Sequence, residues 1–208
     1  MTRRRQMMLK KSGGGLPEGY TAVDYLQSSG AQWIEMGVAP NQNTKAVLKI
    51  KINVFGSRGA SLIGGRTDVN SNDQFTTYID DYGGTRFLFR MDGQPKAISW
   101  TGLTTNKIYI VTLSGTEMKA ELEDGTAVFS KTFSVPDFTS TMTMALFRAK
   151  NVSGDYFHGR IYSCKHYSGD ELIQDFAPCL DTEGVPCMFD LVSRKPFYNK
   201  GTGSFTWG

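Results

Sequence analysis

Two glutamates, Glu121 and Glu123, lie one residue apart in the segment Lys119-Ala-Glu-Leu-Glu-Asp124. On an extended strand that spacing puts both carboxylates on one face, the arrangement glycoside hydrolysis asks of an acid and a nucleophile. Sandwich glycosidases carry Glu-x-Asp-x-x-Glu on such a strand. Here the pattern breaks after Glu121-Leu-Glu-Asp124 and Lys119 shares the face, so a solvated strand face is the better reading. The loop Asp68-Val-Asn70-Ser-Asn72-Asp73 offers oxygen atoms at alternating positions, as calcium prefers. Its sixth position is Asp73 and not glycine, and its twelfth is Ile79 and not glutamate, which excludes an EF-hand. Asp68, Asn70, Asn72 and Asp73 remain as a looser calcium set or as a plain Asx-rich turn. Cys164-x-His166, with Cys179 and Cys187 downstream, supplies zinc-type ligands, but intervals of twelve and seven residues fit no common zinc frame. Core thiols and a surface imidazole are the alternative. With no nucleophile elbow, phosphate loop or dinucleotide fingerprint, no catalytic residue, metal or cofactor is expected, and the chain does not read as an enzyme.

Sugar binding asks for less: aromatic faces on which C–H surfaces stack, and planar polar groups that hydrogen-bond hydroxyls. Tyr78, Asp80, Asp81, Tyr82, Arg86 and Trp100 fall in or beside a predicted hairpin, and Arg66 and Arg148 end other predicted strands. These eight residues are the candidate glycan contacts. The competing reading places each aromatic in the core, where its large area is most stabilising.

The elements that must position these groups are strands. Short segments rich in β-branched and aromatic residues alternate with Gly, Asn, Asp and Pro clusters, and no stretch shows a capped helical period. Strands are predicted over 22–26, 33–36, 45–54, 61–65, 74–79, 86–91, 96–99, 107–114, 117–123, 126–133, 141–148 and 156–167. Alternation is clearest at 45–52, where Ala46, Leu48, Ile50 and Ile52 form a dry face and Lys45, Val47, Lys49 and Lys51 a wet one. Ser114-Gly115, Asp124-Gly125 and Ser168-Gly169 supply hairpin turns, as does Asp92-Gly93. About a dozen strands exceed what one open sheet carries, so two packed antiparallel sheets, a sandwich or jelly roll, are predicted.

The chain has 208 residues, 39% of them hydrophobic, enough for one β domain with a substantial core. No apolar run approaches the ~20 residues of a membrane helix, and no membrane partner is expected. Residues 1–15 read as a basic arm with a Gly-rich link, and 16–208 as the folded domain. Met7, Met8 and Leu9 are too short an apolar centre for a secretory signal. Without Arg3, Arg4, Arg5, Lys10 and Lys11, the 23 Lys and Arg fall to 18 against 20 Asp and Glu. The positive charge therefore belongs to the arm, and no specific nucleic-acid partner is expected of the folded part. The odd cysteine count argues for reduced thiols.

Two blocks carry a resemblance. Leu16-Pro-Glu-Gly-Tyr-Thr-Ala-Val-Asp-Tyr-Leu-Gln-Ser-Ser-Gly-Ala-Gln-Trp-Ile resembles the opening of concanavalin A-like, laminin G-like domains of bacteriophage and prophage structural proteins from gut bacteria. Phe157-His-Gly-Arg-Ile-Tyr-Ser-Cys-Lys, Asp175-Phe-Ala-Pro-Cys179, Met188-Phe-Asp-Leu-Val and Phe197-Tyr-Asn-Lys-Gly-Thr-Gly-Ser-Phe-Thr resemble their close, with Gly64-Gly-Arg66 and Tyr78-Ile-Asp-Asp81 as weaker matches. Val185-Pro186-Cys187 departs from the small or apolar residues usual there. The resemblance implies a concanavalin A-like jelly roll of framework residues in a virion protein made in the host bacterial cytoplasm. On that reading the arm residues Arg3, Arg4, Arg5, Lys10 and Lys11 attach it to other virion proteins, copies assemble as a homo-oligomer, and the sandwich faces bacterial surface glycans. A decoration or fibre subunit that binds no sugar, and a degenerate glycosidase relative, are the alternatives.

Overall fold

The structure, a computed structural model, describes residues 15–55, 60–67, 74–80, 86–91, 98–150 and 156–208. Among them the chain forms strands and no helix. In chain order these are β1 (Thr21–Ala22), β2 (Leu26–Ser29), β3 (Ile34–Glu35), β4 (Thr44–Ile52), β5 (Ile63–Arg66), β6 (Gln74–Asp80), β7 (Arg86–Met91), β8 (Ile98–Thr101), β9 (Ile108–Leu113), β10 (Glu117–Leu122), β11 (Ala127–Thr132), β12 (Ala145–Leu146), β13 (His158–Ser168), β14 (Glu171–Leu180), β15 (Pro186–Asp190), β16 (Lys195–Tyr198) and β17 (Thr206–Trp207).

They make two antiparallel sheets. The larger runs β11-β10-β9-β4-β13-β14-β15-β16, with β2 on β13, β17 on β2 and β1 on β14; the smaller runs β3-β12-β5-β6-β7-β8. The predicted two-sheet sandwich is what forms. Its core lies between the layers because the central strands, such as β4, β9 and β13, turn one face inward. On β4, Ala46, Leu48, Ile50 and Ile52 are fully buried, opposite the lysines of the wet face. From the smaller sheet Phe75, Ile79, Phe87, Phe89 and Met91 meet them in one continuous cluster. Burying one such side chain is worth about 1.5–3 kcal/mol, so the aromatic-rich interior dominates stability.

The predicted turns at Ser114-Gly115, Asp124-Gly125 and Ser168-Gly169 close their hairpins, and Asp92-Gly93 lies outside the described residues. Ser114 Oγ accepts from the N–H groups of Thr116 and Glu117 at 3.3 and 3.1 Å, and Asp124 Oδ1 accepts from Thr126 N–H at 2.9 Å. Three expectations need correction. The strand predicted over 22–26 is two short ones, β1 and β2, because the chain there leaves β14 and crosses to β13. Only Ala145–Leu146 of the 141–148 prediction is strand, since Phe147 adopts a left-handed φ of 66° and turns the chain. After Ser168, β14, β15 and β16 form a meander that alternation alone does not reveal, because Pro178, Pro186 and Pro196 interrupt the pattern. The structure accommodates Pro178 by its place in the ladder. Asp181 N–H bonds Val185 O, so Cys179 and Cys187 form a hydrogen-bonded pair and Pro178 a non-bonded one opposite Met188.

The two ends of the domain meet. Asn199 Oδ1 accepts from Trp33 N–H and Gly201 N–H, and its Nδ2 donates to Gly203 O. Thr206 and Trp207 pair with Gln27 and Leu26. The opening and closing blocks that carry the resemblance are thus one seam. Asp190 fixes another part of it: it is fully buried and accepts from the N–H groups of Asp175, Val192 and Ser193.

Candidate functional site

The smaller sheet gathers some of the predicted glycan contacts on its outer face. Arg66 Nη1 donates to Tyr78 Oη at 3.4 Å, and Arg86 projects from the same face of the neighbouring strand, in register with Asp80. Both Tyr78 and Arg86 are half-buried. Arg148 belongs elsewhere: its guanidinium lies 4.8 Å from the Trp33 ring and 4.9 Å from the Tyr156 ring, and donates to Tyr156 Oη. Trp100 is a correction. It is 6% exposed and packs against Phe87, Tyr109 and Phe129, the last stacked at 5.9 Å, so it closes the core and offers no face to a ligand. Asp81 and Tyr82, the loop candidates Asp68, Asn70, Asn72 and Asp73, and the arm residues Arg3, Arg4, Arg5, Lys10 and Lys11 lie outside the described residues.

The chemistry-bearing pairs also find their places. Glu121 pairs with Lys119 at 2.7 Å and Glu123 with Lys49 at 2.5 Å, so each carboxylate is engaged by an ammonium group. The hydrogen bond that Lys119 donates to Glu121 raises the Lys119 pKa above its ordinary value. Cys164 and His166 share the inner face of β13, whereas Cys179 and Cys187 belong to a separate apolar cluster with Phe189 on the outer face. No common metal site assembles from the four. His166 is a correction too: expected at the surface, it is 1% exposed. Gln174 Nε2 donates to Met36 O, which leaves Gln174 Oε1 to accept from His166 Nδ1–H at 3.1 Å. Burial depresses the imidazole pKa, and the ring stays neutral.

A larger concavity opens on the outer face of the larger sheet. It measures about 980 Å³ and lies where the crossing from β1 to β2 parts β13 from β14. Tyr162, Ser163, Lys49, Glu123 and Asp24 supply its polar and aromatic lining; Val23, Ile108, Ala177, Leu16 and Leu191 supply the apolar part. Pro178 also lines it, and its missing N–H leaves no donor stranded at the parted strands. Tyr162 is oriented by its neighbours. Lys49 Nζ sits 5.3 Å from its ring centroid, and Tyr25 meets it edge-on at 5.4 Å. Arg160 in turn lies 4.1 Å over the Tyr25 ring and donates through Nε to Gln27 Oε1 at 2.8 Å. Gln27, Arg160, Tyr25, Tyr162, Lys49 and Glu123 form an unbroken chain of contacts beside and within the groove. A volume of this size, mostly apolar with a few placed polar groups, suits a small ligand or a segment of a chain ligand.

Of these groups only Lys49 and Glu123 were singled out in the sequence, for other reasons. Tyr25 and Tyr162 lie within the two blocks of resemblance, but their convergence requires β2 to pair with β13, a contact of high sequence separation.

No known family profile and no curated protein sequence matches the chain significantly. Among solved structures it is similar to a protein from Bacteroides ovatus provisionally named a carbohydrate binding protein, with TM-score 0.60 and 15% identity over 90% of this chain and 60% of that one. The chain thus spans about 60% of that neighbour's length. A native heptameric SAP-like pentraxin from Limulus polyphemus (TM-score 0.43, 14% identity, 74% of this chain and 76% of that one) is more distant. So is the carbohydrate binding module CBM66 from Bacillus subtilis (TM-score 0.35, 16% identity, 69% and 91%), and neither bears on the argument. The strand pairing and the likeness to the Bacteroides protein together establish an all-β, two-sheet jelly-roll sandwich.

Proposed function

We propose that this chain is a non-catalytic carbohydrate-binding sandwich that seats a saccharide in the groove on the outer face of its larger sheet. The groove is the observation that carries the reading: a tyrosine face held by cation and ring contacts, flanked by amine, carboxylate and hydroxyl groups over an apolar floor. Saccharides present the complementary surface, C–H faces bordered by hydroxyls. The provisional name of the Bacteroides neighbour supports the ligand class. The engagement of Glu121 and Glu123 by lysines supports binding without hydrolysis. The resemblance of the opening and closing blocks supports a bacteriophage particle as the setting, with glycans of the bacterial surface as ligands, the arm as its attachment to other virion proteins and repeated copies as its assembly.

A glycan array of bacterial surface saccharides tests it. The wild-type chain binds at least one saccharide class, and Tyr162→Ala weakens that binding at least tenfold, about 1.4 kcal/mol. An empty array, or binding untouched by Tyr162→Ala and abolished by Tyr78→Ala, contradicts the assignment.

A further inference from the structure

Cys179 and Cys187 stand directly opposite each other across β14 and β15, with Sγ atoms 3.5 Å apart. Partners at a hydrogen-bonded position of an antiparallel pair have Cα atoms about 5.5 Å apart. That lies inside the range of about 4.4–6.8 Å that disulfides span, so rotation about the side-chain bonds can bring the sulfurs to bonding distance without moving the strands. Both thiols are fully buried with Phe189, beneath Leu16, Tyr20 and Leu191. The third cysteine, Cys164, lies in the main core on the other side of the sheet and forms no such pair.

We propose that Cys179 and Cys187 are an oxidisable dithiol that closes to an intrachain disulfide by exchange with a small-molecule disulfide of the glutathione class, stapling β14 to β15 beside the groove. The hydrogen bonds from Cys187 and from Phe189 N–H hold the Cys179 thiol below its ordinary pKa, while the same contact pushes Cys187 up. The lowered pKa favours Cys179 as the attacking group. Cys179 loses its proton to solvent and attacks one sulfur of the reagent; that S–S bond breaks and one glutathione thiolate leaves. Cys187 then gives up its proton and attacks Cys179 Sγ in the mixed disulfide, expelling the second glutathione. Two protein thiols are oxidised and one reagent disulfide is reduced to two thiols.

Entry requires the segment from Leu16 to Tyr20 to lift. The segment is held by an Arg194 Nη1 bond to Gly15 O and by the edge contact of Tyr20 with Phe189, so a local opening suffices. Leu16 and Leu191 cover the thiols and also line the groove, so closing the bridge stiffens one groove wall.

The native chain is incubated with glutathione disulfide, quenched in acid, denatured, alkylated with N-ethylmaleimide and weighed. The expected product has lost two hydrogens and carries one maleimide in place of three, with peptide mapping linking Cys179 to Cys187, and dithiothreitol restores all three sites. The oxidised chain melts above the reduced one. Cys164→Ser still closes the bridge, whereas Cys179→Ser and Cys187→Ser do not. Three maleimides after oxidation, a persistent glutathione adduct without closure, or a bridge through Cys164 overturns the proposal.

Discussion

Tyr162 is held by the Lys49 ammonium and the Tyr25 ring, so its half-buried ring is positioned before any ligand arrives. Such preorganisation lowers the entropy cost of binding. The Lys49–Glu123 pair beside it is partly exposed and contributes at most about 1 kcal/mol to folding. Glu123→Gln is accordingly expected to leave the urea midpoint nearly unchanged while weakening saccharide binding, a separation that equilibrium unfolding and binding titration read together. Trp100 behaves in the opposite way. Trp100→Ala removes a core side chain wedged among Phe87, Tyr109 and Phe129 and costs about 3–5 kcal/mol of stability, so any loss of binding follows unfolding. His166 sets a pH dependence. Its folded-state pKa lies below the ordinary 6.5, so the unfolded chain takes up the proton first as pH falls. The stability present above pH 6.5 is lost as pH drops through 6.5 toward the depressed folded value. Urea midpoints measured from pH 7.5 down to 5 show this slope, and His166→Gln flattens it.

At the scale of elements, the hairpins and the dry face of β4 were legible because they are local: period-two alternation and Asx-Gly or Ser-Gly turns need only neighbouring residues. Trp100 was misread because a tryptophan after a predicted hairpin looks the same whether it faces in or out, and only its partners on β9 and β11 decide. His166 was misread for a similar reason, its partner Gln174 lying on a strand that prolines conceal. The seam of the two termini was visible as a resemblance but without its cause. Asn199 and Gly201 supply the cause: a Cβ at Gly201 would stand 1.9 Å from the Ala31 carbonyl oxygen, so only glycine lets the closing segment lie against 31–33. Gly201→Ala must push the backbones apart and is expected to cost about 1–3 kcal/mol. A lowered thermal midpoint checks this, and an unchanged one shows that the seam yields freely.

For the whole molecule, two layers leave two outer faces, and the sequence pointed to the face of the smaller sheet through Arg66, Tyr78 and Arg86. The geometry favours the larger sheet, because there the crossing from β1 to β2 parts two strands and opens a groove, a feature no residue type announces. Mapping amide chemical shifts of the isotopically labelled chain while adding an array-positive saccharide tests that preference most directly. Shifts concentrated at Lys49, Tyr162, Ser163 and Ala177 are the result expected. Shifts confined to Arg66, Thr76, Tyr78 and Arg86 on the opposite layer would contradict it.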